Sequence, residues 1–196
     1  MTATELKSAT AGLLAALGLR DKGTRDHSKR VARVSVILGQ RLRLEPYLMT
    51  ALSFGALLHD IGKISTKEAV LKKEGSHTPI ERMHMKEHAC CGAEMLEELK
   101  MPELVTACVR QHHERWDGLG YPRGLKGTEI GLLARIVAVA DAYDAMTNNR
   151  CYRAGRSHEA AVAEIQRGSG SQFDSDVVRV FLLISQEQLT QIARGF

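Results

Sequence analysis

The chain has 196 residues, 44% hydrophobic and 26% charged, a composition that excludes a disordered or fibrous protein and predicts one domain or at most two. Its net charge of +4, from 27 Lys and Arg against 23 Asp and Glu, favours an anionic partner; without a recognition motif or basic tail it does not point to nucleic acid. No run approaches the roughly 18 apolar residues of a membrane span, and the start MTATELKSAT lacks the layout of a signal peptide, so a cytoplasmic location is expected.

Four prolines and 5% aromatic residues make long helices the default. From Thr4 to Leu17 the residues Leu6, Leu13, Leu14 and Leu17 recur near helical spacing and predict a first helix, stopped by Gly18. A second is expected to begin near Thr24 to Asp26, with Val31, Val34, Leu38 and Leu42 on one face and His27 in its first turn. Residues 20–43 carry eight Lys or Arg against Asp21 and Asp26, which reads as a solvated helix surface. Pro46 opens a third helix, whose run Leu52, Phe54, Leu57, Leu58 leads into His59-Asp60 before Gly62.

Thr78-Pro79-Ile80-Glu81 is a capping box that starts a helix through the upper eighties, and Pro102 starts the next, toward His112-His113. Residues 114–128 hold four glycines and a proline and are expected as an ordered loop, because Trp116, Leu119, Tyr121 and Leu125 can pack it. A long helix is expected from Glu129 to Thr147, apolar apart from Arg135, Asp141 and Asp144. A helix from Ser157 to Arg167, a Gly-Ser loop and one or two terminal helices finish the chain. Cys90 and Cys91 are adjacent while Cys108 and Cys151 are isolated, so neither a disulfide framework nor a zinc pattern is present, and the thiols are read as reduced and buried.

Five polar islands interrupt these apolar helices: His27, His59-Asp60, His88, His112-His113 and Asp141. A charged or imidazole group set into a buried face is costly unless it is paired or bound to metal, so several such islands suggest a shared partner. Imidazoles and carboxylates without thiolates suit iron, manganese, zinc or cobalt, and seven groups are too many for one ordinary site, so two ions follow. Adjacent helical residues diverge by about 100°, so His59 and Asp60 cannot chelate as an i, i+4 pair does, whereas a carboxylate can bridge two ions. His84 and His88 are spaced to bind an ion unaided, although His84 also reads as exposed; His77 and His158 are read as surface residues. Trp116 is expected to anchor the loop and Arg135 to form an ion pair, while Glu114 reads either as orienting a metal-bound histidine or as solvated.

The series His59-Asp60-Ile61-Gly62-Lys63, His112-His113-Glu114-Arg115-Trp116-Asp117-Gly118, Gly120-Tyr121-Pro122 and Ala134-Arg135-Ile136 through Ala140-Asp141-Ala142-Tyr143-Asp144-Ala145-Met146-Thr147 resembles the HD-GYP family. The resemblance runs from about residue 20 to 182 and includes Gln172-Phe173-Asp174. It implies an all-α, HD-type helical bundle with an ordered Gly-rich GYP loop, divided as an N-terminal helix (1–19) and an HD-GYP domain (20–196). It further implies a metal centre that hydrolyses cyclic di-GMP through a metal-bridging hydroxide to pGpG, and on to GMP if the linear product rebinds.

By the same resemblance His27, His59, Asp60 and Asp141 hold one metal and Asp60, His88, His112 and His113 the other, with Asp60 bridging and the ions expected as Fe or Mn. Asp60 and Lys63 are the expected catalytic residues; Lys63, Tyr121, Asp144, Arg150 and Arg153 are assigned to the substrate. Three-metal members have a glutamate four residues before the first histidine; here that position is Gly23, so two metals are expected unless Asp21 or Asp26 compensates. The segment after His59-Asp60-Ile61-Gly62-Lys63 departs from the family pattern at Ser65-Thr66-Lys67-Glu68 and Lys72-Lys73-Glu74-Gly75, so loop 64–78 is expected to differ in shape. A GGDEF-domain protein and a second copy of the chain are the partners considered, the former in an alternative role as a cyclic-dinucleotide receptor or adaptor. Hydrolysis of another phosphoester or a hybrid cyclic dinucleotide is a third reading.

Overall fold

Six helices begin on a side-chain oxygen that accepts from a first-turn N–H: Thr2 from Glu5, Asp21 from Gly23, Thr78 from Glu81, Ser157 from Ala160, Asp174 from Asp176 and Ser185 from Gln188. Pro46 and Pro79 sit in first turns, where no N–H is missed. The computed structural model describes residues 2–148 and 155–194 of the chain. Its helices are α1 (Ala3–Arg20), α2 (Lys22–Arg41), α3 (Pro46–Leu58), α4 (Glu68–Leu71), α5 (Pro79–Lys86), α6 (His88–Glu98), α7 (Glu103–Gln111), α8 (Leu132–Thr147), α9 (His158–Arg167), α10 (Ser175–Phe181) and α11 (Gln186–Arg194). Tight 3₁₀ turns occupy Ile61–Ser65 and Gly127–Glu129, and the described residues contain no strand, only an isolated bridge between Ser169 and Phe173. The fold is therefore the expected all-α bundle.

Four boundaries differ from the sequence reading. α1 runs through Gly18 to Arg20, because Gly18 marks a close approach and not a stop: a Cβ there would lie 2.6 Å from Arg25 Cδ of α2. Asp21, extended at φ −149°, makes the break and caps α2, which begins at Lys22, two residues before Thr24. The segment after Thr78 is two helices, α5 and α6, meeting at Glu87. The long helix α8 begins at Leu132, after the turn at Gly127–Glu129 has used the preceding residues.

Helix α2 packs against α1, α3, α8 and α11, and α7 joins α6 to α3 and α8. Leu17, Val31, Leu38, Leu52, Leu58, Leu96, Val105, Val109, Ile136, Ile165 and Phe181 form one continuous core. Leu6, Leu14 and Leu17 belong to the same core, so α1 is not separate from the rest, and a division after residue 19 falls inside its last turn. The 3₁₀ turn Ile61–Ser65 crosses α6 backbone to backbone: a Cβ on Gly62 would sit 2.0 Å from the His88 carbonyl oxygen, and one on Gly92 would sit 3.0 Å from Gly62 N. Among the described residues no helix is long and apolar enough to cross a membrane.

Loop 114–128 is ordered, by two devices. Trp116 N and Asp117 N donate to the Gln172 and Ser171 carbonyls at 3.2 and 2.8 Å, tying it to the turn before α10. The Glu114 carboxylate, 3% exposed, accepts from Arg123 N at 2.7 Å and Leu125 N at 3.0 Å. Glu114 thus neither orients a histidine nor faces water; it closes the loop around itself. Arg135 donates to Asp174 at 2.5 Å and lies over the Trp116 ring, the ion pair that its place in an apolar helix implied.

Candidate metal centre

Helix ends bring the polar islands together. His59 is the last turn of α3 and Asp60 the next residue, where the chain leaves helical geometry (φ −97°, ψ 7°), so both side chains of an adjacent pair turn inward. His112 and His113 use the end of α7 in the same way, with ring centroids 4.0 Å apart. His88 is the first residue of α6, while His27 and Asp141 project from within α2 and α8. Three overlapping groups have ligand atoms all within 4.8 Å of one another: His27, His59 and Asp141; His88, His112 and His113; and His59, Asp60 and His112.

Asp60 lies between the first two groups and is 2% exposed. Its Oδ2 is 3.5 Å from His59 Nε2 and 3.7 Å from His27 Nε2; its Oδ1 is 3.4 Å from His88 Nε2. Each carboxylate oxygen therefore faces a different histidine group. His27 Nε2 is also 3.0 Å from Asp141 Oδ1. Lys63 Nζ, on the 3₁₀ turn, reaches Asp60 Oδ2 at 2.7 Å with a quarter of its side chain still exposed (23%).

The donor chemistry fits divalent metal. Nδ1 of His59, His88 and His112 bonds the main-chain carbonyl three residues back, on Ala56, Met85 and Val109, at 2.8, 2.5 and 2.6 Å. A carbonyl only accepts, so each Nδ1 carries the hydrogen and each Nε2 presents a bare lone pair to the interior. His59 Nε2 is a buried atom with no hydrogen-bond partner. Burial holds the imidazoles neutral: it pushes His112 well below the usual histidine value, His88 below it and His113 down to about 3. Burial opposes the charge on Asp60, yet the Lys63 ammonium beside it outweighs that and keeps the carboxyl well below its usual range. Burial likewise opposes a charged His27, but hydrogen bonds to Asp141 and Asp144 raise it to about 9.

Tyr121 covers the outside of His113, its ring stacked at 4.7 Å and 29°, with Lys86 Nζ 4.9 Å from the tyrosine centroid. Asp144, expected at the substrate, is engaged elsewhere: its oxygens accept from His27 Nδ1, Arg30 Nε and Nη2, and Asn148 Nδ2 at 2.7 to 2.9 Å. That leaves it saturated behind His27. Arg150 and Arg153 lie outside the described residues. Of the two acids near Gly23, Asp21 accepts from Gly23 N and the Thr24 hydroxyl, and Asp26 Oδ1 accepts from the Arg25 guanidinium.

The i, i+4 pair His84 and His88 forms no site: His88 turns into the cluster and His84 lies 3.4 Å from Glu87. His77 and His158, read as surface residues, are partly buried and bonded, to the Val70 carbonyl at 2.9 Å and the Tyr143 hydroxyl at 3.0 Å. Cys90 and Cys91 are partly exposed free thiols and Cys108 is buried, while Cys151 lies outside the described residues. Sequence reasoning missed Arg30, which looked like one more charge on a basic face; its position three residues after His27 was the available signal.

A family model described as an HD domain matches residues 11–177. A cyclic di-GMP phosphodiesterase of Thermotoga maritima is 40% identical over 89% of this chain and 48% of its own length. A 3'3'-cGAMP-specific phosphodiesterase 1 of Vibrio cholerae is 37% identical over 84% of this chain and 38% of its own. The chain thus spans about half, or less, of the curated relatives it matches. Among solved structures, Bd1817, a HDG"Y"P protein from Bdellovibrio bacteriovorus, superposes with a TM-score of 0.68 at 25% identity, over 89% of this chain and 54% of that one.

Proposed function

The chain belongs to the HD domain family and carries the HD-GYP motif series, and from that premise we propose that it is a metal-dependent phosphodiesterase acting on a cyclic dinucleotide, cyclic di-GMP first. One observation carries the reading: Asp60 presents one oxygen to His59 and His27 and the other to His88, the disposition a bridging carboxylate needs. His27, His59 and Asp141 with Asp60 would hold one divalent ion; His88, His112 and His113 with Asp60 would hold the second, with Fe and Mn the expected metals. The engaged state of Asp21 and Asp26 supports two ions and not three. When bound, such a pair lowers the pKa of water and neutralises phosphate oxygens.

The side chains supply the rest. Lys63, about a quarter exposed and bonded to Asp60, offers a cation to the scissile phosphate. Tyr121 and Lys86 form the wall next to His113 on which a base can lie. Hydrolysis at one ester gives pGpG; a second cut to GMP follows where the site takes the linear product back.

The test is turnover of cyclic di-GMP by anaerobically purified protein loaded with Fe(II) or Mn(II), with products separated by chromatography and metal counted on the same sample. Formation of pGpG with about two ions per chain, both lost in Asp60→Ala, supports the proposal. Full loading without product overturns it in favour of a receptor. The Vibrio cholerae relative makes 3'3'-cGAMP the competing substrate to run alongside.

A further inference from the structure

Four of the centre's five histidines are fixed by a hydrogen bond at Nδ1, in two different ways. Nδ1 of His59, His88 and His112 is held by a main-chain carbonyl, which no side-chain replacement removes. His27 is held by a side chain: its Nδ1 donates to Asp144 Oδ2 at 2.7 Å. Asp144 is in turn gripped by the Arg30 fork, Nε to Oδ1 at 2.7 Å and Nη2 to Oδ2 at 2.9 Å, and by Asn148 Nδ2 at 2.9 Å on Oδ1. Arg30 stands one turn beyond His27 on α2, and Asp144 one turn beyond Asp141 on α8. The same two helices therefore supply both the candidate ligands and the brace behind them.

From this we infer that Arg30 and Asp144 are positioning residues for His27 alone, fixing its Nε2 toward Asp141 and Asp60 and setting the affinity of one of the two metal positions independently of the other. The inference rests on the two-metal reading. Its physical basis is that a carboxylate on Nδ1 locks the imidazole's tautomer and ring plane and makes Nε2 a more electron-rich ligand. Arg30 holds that carboxylate in plane with a bidentate pair, a geometry lysine cannot reproduce. The position formed by His88, His112 and His113 has no part in this brace: its two fixed rings hang on Met85 and Val109 carbonyls.

The experiment is calorimetric titration of metal-free protein with Mn²⁺ alone, resolving two binding steps, in wild type, Asp144→Asn, Arg30→Lys, His27→Ala and the His27→Ala/Asp144→Asn double variant. Asp144→Asn is expected to weaken one step by about 10- to 100-fold and leave the other unchanged, with Arg30→Lys weakening the same step less. His27→Ala should remove that step, and adding Asp144→Asn to it should change the remaining step no further. A brace that served only general stability would lower the melting temperature and shift both steps together, which overturns the inference, as do two unchanged steps in Asp144→Asn. Should Asp144→Asn fail to fold, Arg30→Lys carries the same comparison. Wild type that takes up no Mn²⁺ would instead overturn the metal-centre reading itself.

Discussion

His88 Nε2 lies 3.2 Å from His112 Nε2, although the Nδ1 of each ring already donates to a main-chain carbonyl. Neither Nε2 then carries a hydrogen, so two lone pairs face each other inside the protein, an arrangement that a cation between them stabilises. Metal loading should therefore raise stability as well as enable chemistry. At free Mn²⁺ a hundredfold above its Kd the gain is about 2.7 kcal/mol, which for a chain of this size raises Tm by roughly 5–11 °C. Differential scanning calorimetry with and without a chelator measures it, and an unchanged Tm at saturating Mn²⁺ would count against the cluster as a metal centre.

The metal-free protein should be most stable near pH 6.5. His113 is held down at about 3 and His88 and His112 are lowered too, so below pH 6.5 the unfolded chain takes up protons that the folded one refuses, and stability falls with pH. His27 has the opposite sign: raised to about 9, its contribution is complete below 6.5 and disappears as pH climbs through 9. Melting temperatures of chelated protein at pH 5, 6.5 and 9 report this, and a steady rise toward pH 9 would show that His27 is not paired with Asp141 and Asp144.

Glu114→Ala removes a buried carboxylate that accepts from two part-buried loop N–H groups, those of Arg123 and Leu125. The expected cost is about 1–3 kcal/mol, seen as a lower urea midpoint, with Glu114→Gln milder because it keeps one carbonyl oxygen. Metal stoichiometry should stay at the wild-type value, since Glu114 contacts none of the clustered ligands. Loss of metal in Glu114→Gln would restore the idea that this carboxylate orients a histidine.

Gly62 and Gly12 make opposite predictions for the same substitution. A Cβ at Gly62 meets backbone atoms of α6, His88 O at 2.0 Å and Gly92 N at 2.6 Å, so Gly62→Ala should cost about 3 kcal/mol and displace His88. A Cβ at Gly12 meets nothing within 4 Å, and Gly12→Ala in exposed α1 should stabilise by about 0.5–1 kcal/mol. Denaturant melts of the two variants decide it, and a neutral Gly62→Ala would mean that the turn does not press on α6.

Most of the helices and the membership of the cluster are legible in the chain alone. Capping residues, first-turn prolines and apolar periodicity are local signals, and Thr78, Pro46 and Ser157 act in the bundle as they read in the chain. His27, His59, Asp60, His88, His112, His113 and Asp141 were each conspicuous because a polar group in an apolar helix demands a partner. What no local signal carries is which atoms meet across the bundle. Gly18 read as a helix stop and Gly62 as one residue of a motif, yet both serve close crossings, by Arg25 and by the α6 backbone. Glu114 read as either orienting a histidine or solvated, and Asp144 as a substrate contact; only the folded loop and the α2 to α8 contact show one gathering loop N–H groups and the other bonded to His27. Arg30 was hidden in a basic stretch for the same reason: its fork is defined by a carboxylate 114 residues away, a distance that only packing closes.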